Sequence, residues 1–84
     1  MRKLYKITAA VNRRTGEDIP EMMGRITYEP IVISDNRLYA EYADWNKGRG
    51  LLEKNVESIT DFSGGFTVTL EKYAYTFEGI GDEI

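Results

Sequence analysis

Apolar and polar residues alternate with a period of two along most of this chain, the pattern of strands with one face in a core and the other in water. In residues 4–11, Tyr5, Ile7, Ala9 and Val11 fall on one side, while Lys6 and Thr8 fall on the other. The polar run Asn12-Arg13-Arg14-Thr15-Gly16-Glu17 then marks a turn, with Gly16 able to take positive φ. Residues 18–24 read as a crossing segment. Pro20 can open a single helical turn there, and Ile19, Met22 or Met23 can plug the core.

Residues 25–33 carry a break in phase. Ile26 and Tyr28 alternate with Arg25, Thr27 and Glu29, but after Pro30 the apolar set slips by one, to Ile31 and Ile33. A one-residue slip is the mark of a β-bulge, and proline lacks the donor that an interior ladder uses. A bulge or sharp bend is therefore expected at Glu29-Pro30.

Further along, Ser34-Asp35-Asn36-Arg37 has turn chemistry, since Asp and Asn tolerate left-handed backbone. Residues 37–44 place Leu38, Ala40 and Tyr42 on one face and Tyr39, Glu41 and Ala43 on the other. If the first set fills the core Tyr39 is exposed, and if loops cover the second face Tyr39 is a core residue too. After the loop from Trp45 to Gly50, residues 51–56 read as a short turn or helix, or else as the start of a strand, leading into a strand near Val56–Phe62. Ser63-Gly64-Gly65 is a hairpin signal before Phe66, Val68 and Leu70. Tyr73, Tyr75 and Phe77 share a face in the next strand, and residues 79–84 read as a frayed acidic tail.

These elements predict a mainly β domain over residues 1–78, followed by the tail at 79–84. The expected architecture is a small antiparallel β-barrel or strongly bent sheet of five to six strands, SH3-like or OB-like, with at most one short helix. A flat sheet under a covering helix fits less well, because residues 20–24 and 51–56 are short for a cover.

Composition narrows the chemistry. Ten aromatic residues (one Trp, six Tyr, three Phe) among 84 make a core feasible but thin. With neither Cys nor His, the chain has no disulfide, no thiolate and no Ser-His-acid or Cys-His set. Catalysis, a cofactor and a metal site are accordingly not expected. Adjacent acids such as Glu17-Asp18 and Asp82-Glu83 read as solvated pairs. No apolar run approaches the roughly 20 residues of a membrane span, and a soluble, cytoplasmic protein is expected.

Net charge is −3 but uneven: residues 1–25 carry six Arg/Lys against three acids, and residues 26–84 carry five against eleven. A basic and an acidic pole would suit docking on a charged partner, or stacking of copies.

Three roles are weighed. The first is a non-enzymatic interaction module for a protein partner or for a second copy, using Tyr39 and Trp45 with Arg37, Lys47 and Arg49, the residue types that most often anchor interfaces. The second is a single-strand nucleic-acid binder, with Trp45 as a stacking platform beside Lys47 and Arg49 and charge added by Arg13 and Arg14. The acidic sequence pI of about 4.9 counts against it. The third is an acidic inhibitor filling a basic groove on a nucleic-acid enzyme with Glu53, Glu57, Asp61, Glu71 and Glu78. Gly48-Arg49-Gly50 beside Lys47 resembles an anion nest, but it lacks the P-loop spacing and reads more simply as a hairpin connection.

Overall fold

The computed structural model describes residues 2–83, apart from the Lys47 side chain. In chain order the strands are β1 (Lys3–Asn12), β2 (Ile26–Tyr28), β3 (Ile31–Ile33) and β4 (Arg37–Glu41). Then follow β5 (Gly50–Glu53), β6 (Val56–Phe62), β7 (Gly65–Leu70) and β8 (Tyr73–Asp82). Single 3₁₀ turns occupy Pro20–Met22 and Trp45–Lys47. All pairings are antiparallel, in one five-stranded sheet of order β2-β1-β8-β7-β6 and one three-stranded sheet of order β3-β4-β5.

The phase slip at Pro30 becomes a change of sheet. β2 pairs with β1, the chain turns at Glu29-Pro30, and β3 pairs with β4. An isolated bridge, Thr27 to Tyr42, and a hydrogen bond from Ala43 N–H to the Ile26 carbonyl (3.0 Å) hold the two sheets together there. Since β8 returns to β1, the strands follow a meander whose ends meet. Among the described residues the ladders do not close into a ring: β5 and β6 have no ladder between them.

The core lies between the sheets. Ile7, Leu38, Val68, Leu70, Tyr75 and Phe77 are each at most 2% exposed, so each contributes the full burial term of roughly 1.5–3 kcal/mol for a large apolar side chain. Leu38, Ala40 and Tyr42 face inward as their alternation predicts, and so do Val68, Leu70, Tyr75 and Phe77. The Ser63-Gly64 turn closes β6 on β7 with Phe62 opposite Gly65, and Gly64 takes φ 90. Asn12 Oδ1 accepts from the Arg14 and Thr15 amides to shape the first turn.

Several expectations are corrected. Among the described residues eight strands replace the five or six expected, because the bend divides one segment and residues 50–53 take the strand alternative, as β5, and not the helical turn. That segment pairs with β4 through Leu38↔Glu53 to Glu41↔Gly50, burying Leu51 and exposing Leu52. β1 does not keep one phase: a register shift between Ile7 and Ala9 brings Ala10, not Ala9, to the core. In β2 the polar Thr27 is the buried residue, since its hydroxyl donates to the Tyr28 carbonyl (2.8 Å) and enters the core already satisfied. Tyr28 turns outward, where its hydroxyl donates to Glu83 and the Arg2 guanidinium lies 3.6 Å from its ring centroid. Ile31 and Ile33 follow Tyr39 and Arg37 onto the outer face of the small sheet. Residues 79–82, expected in a frayed tail, extend β8 along β1, with Lys3 opposite Asp82. Ile84 lies outside the described residues.

Candidate interaction surface

Register places Ile31, Tyr39 and Leu52 directly opposite one another across β3, β4 and β5. Leu38 beside them is buried, so this row faces away from the core. Ile31 is 52% exposed and Leu52 is 55% exposed, with the half-buried Tyr39 between them. Gly50 accommodates this arrangement: a Cβ there would sit 2.7 Å from the Ala40 carbonyl and 3.2 Å from Tyr39 Cε1. The missing side chain leaves room for the tyrosine ring to lie over the neighbouring strand.

Trp45 lies beyond the end of β4, in the connection to β5. The Asp44 carboxylate caps this turn by accepting from the Asn46 amide (2.9 Å). Trp45 is 55% exposed, and the Arg49 guanidinium carbon stands 4.5 Å from its ring centroid. The residues named from sequence therefore divide into two groups. Tyr39 joins the apolar row, and Trp45 joins Arg49. Arg37 sits at the opposite end of β4 from Trp45, with its Nε donating to the Ser34 carbonyl (3.3 Å). The Lys47 side chain lies outside the described residues.

Sequence reasoning missed Ile31 and Leu52. The signal was present in Ile31-Val32-Ile33 and in Leu51-Leu52, because consecutive apolar residues in a strand must send one to each face.

The remaining candidates are dispersed or engaged. Arg13 donates to Glu57 (2.9 Å) and to the Leu70 carbonyl, and Arg2 donates to Glu41 (2.9 Å). The basic N-terminal stretch is thus laid against acids from later in the chain, and the two charge poles interleave. Glu53 follows Leu38 onto the inner side of β5, where burial pushes its carboxyl above the ordinary glutamate range while Lys72 pulls it back. Glu78 lies on the outer face of β8 and Asp61 on the inner side of β6, so the acids do not form one face. In the glycine-rich loop, the Gly48 amide is already donated to the Trp45 carbonyl (3.0 Å). Burial raises the Tyr75 phenol well above its ordinary pKa, helped by Glu53 and Tyr73.

Among the described residues, no three carboxylates are grouped to hold a metal ion, and no helix is long and apolar enough to cross a membrane. No family model, no curated protein and no solved structure matches the chain.

Proposed function

We propose that this chain is a small cytoplasmic, non-enzymatic interaction module that docks a protein partner through the outer face of β3-β4-β5. The row Ile31, Tyr39 and Leu52 carries the reading, because it is an apolar stripe on a sheet face that no other described residue covers. Trp45 with Arg49 supplies a second anchor at the edge of that sheet, of the residue types that dominate interface energetics. The lack of His and Cys supports a non-enzymatic role. The return of β8 to β1 and the corner at Pro30 support reading the meander as an opened small barrel of the SH3-like or OB-like kind.

The row is too small to hold two copies together by itself. β4 has five residues and so spans about 17 Å, and three strands span about 14 Å, which gives roughly 240 Å² of footprint. A stable interface takes about 800 Å² from each partner. The row is therefore an anchor within a larger contact, and two copies joined by it alone fall short. Single-strand binding draws less support, since Arg49 already covers a face of Trp45 and the net charge is −3. The acidic-inhibitor role draws less still, given the dispersal of its carboxylates.

Affinity capture from the native cell with wild type and Leu52→Glu, alongside sedimentation velocity over a range of concentrations, tests the proposal. Wild type should retain a protein that Leu52→Glu loses, at unchanged circular dichroism and with no concentration dependence of sedimentation. Identical capture by both proteins would overturn it, and dimerisation abolished by the substitution would replace the partner by a second copy.

A further inference from the structure

The small sheet covers only part of the large one. Beyond it, a groove of about 740 Å³ opens on the end of β1, β8, β7 and β6, bounded by the corner at Glu29. Tyr5 and Phe66 line it, with ring centroids 5.5 Å apart, and Phe66 continues to the buried Phe77 at 5.4 Å. Among the described residues that line it, Glu29, Asp61 and Asp82 stand against one cation, Lys3. One side of the groove is β6, an edge strand whose one ladder partner among the described residues is β7, with the Val56 N–H also donating to the Asn36 carbonyl (2.9 Å). Beyond Val56, its backbone donors and acceptors on the other side have no ladder partner among the described residues and can take an added strand.

Self-pairing is opposed by charge. Two copies of β6 laid antiparallel about its midpoint, Ile59, bring Glu57 of each against Asp61 of the other. A cationic strand meets the reverse situation, since carboxylates line the groove into which alternate side chains of an added strand project.

We propose that the free edge of β6 and the adjoining aromatic groove bind an extended, basic segment of a partner protein by strand addition. Alternate Lys or Arg side chains of that segment face the groove beside Ile59 and Phe66, one of them against Asp61, while Asp82 adds to the negative field that draws them in. Backbone pairing with β6 supplies much of the affinity, and the carboxylates select the charge. This surface lies on the other sheet from the Tyr39 row and does not depend on it.

Titration of the 15N-labelled chain with an octapeptide of alternating lysine and valine tests the proposal. Amide shifts should concentrate in Val56–Phe62 and around Phe66, and affinity should fall at least about tenfold between low salt and roughly 0.5 M salt. Asp61→Asn with Asp82→Asn should weaken binding about tenfold. The same octapeptide N-methylated at alternate amides should not bind, whereas Leu52→Glu should leave binding unchanged. Shifts that avoid β6, equal binding of an alternating glutamate–valine peptide, or full binding of the methylated peptide would each overturn it.

Discussion

Individual positions carry sharp constraints here, and glycine at the β6–β7 turn shows two of different origin. Gly64 has φ 90 but open space where a Cβ would go, so Gly64→Asn, which tolerates that backbone, should cost less than about 1 kcal/mol. A Cβ on Gly65 would stand 2.2 Å from the Phe77 carbonyl, beneath the Phe62 ring. Gly65→Ala should therefore cost about 3 kcal/mol, the upper end for overpacking, in urea unfolding. Two titrating residues give opposite ends of the pH curve. Glu53 is raised, so the folded state holds its proton more tightly than the unfolded chain, and stability is lost as pH rises through the carboxylate range. Glu53→Gln should raise the melting temperature at pH 7, with the gain vanishing below about pH 4. Tyr75 is raised in the same sense: above about pH 10 the unfolded phenol ionises first, and stability falls by at most about 1.4 kcal/mol per pH unit. Tyr75→Phe should flatten that alkaline slope while changing little at neutrality.

Among the elements, the end of β8 departs most from its sequence signal. Gly79, Ile80 and Gly81 lack the alternation that marks a strand, yet β1 is a long template beside them, and pairing overrides their poor propensity. Tyr5↔Gly79, Leu4↔Gly81 and Lys3↔Asp82 are joined by the Glu83 amide donating to the Arg2 carbonyl and by Tyr28 donating to Glu83. Truncation after Glu78 should thus cost on the order of 2–4 kcal/mol, at about 1 kcal/mol for each hydrogen bond lost, and the Leu4 amide, on the side of β1 that faces β8, should exchange faster. A free tail would leave both unchanged. Elsewhere legibility tracked what local chemistry decides. The turns at Asn12, Asp35-Asn36 and Ser63-Gly64 were readable because side chain and φ fix them, and the corner was readable because proline announces it. Thr27, Ala10 and Leu52 were not, since a bulge or a change of sheet reverses which face is inward without altering composition. The same limit applied to the site. Tyr39 and Trp45 stood out as residue types, whereas their neighbours Ile31 and Leu52 emerged only from cross-strand register.

For the whole molecule, the pairing of the first strand with the last dictates how it folds. Joining chain ends some 70 residues apart costs roughly 4 kcal/mol of loop-closure entropy, so folding should take milliseconds to seconds instead of microseconds. Stopped-flow circular dichroism measures this directly. Fluorescence is a poor substitute. Trp45 is 55% exposed and lies against Arg49, so its emission should resemble that of free tryptophan and change little on unfolding. A strongly blue-shifted native spectrum would place it under a cover that no described residue provides.

That terminal pairing also sets a practical condition on handling the protein. Lys3 and Asp82 lie side by side and both border the aromatic groove. An affinity handle or fluorescent fusion at either terminus therefore leaves the domain at the mouth of that groove, crowding whatever enters it. Labels belong instead on the turn at Thr15-Gly16, an exposed connection near the opposite end of β1.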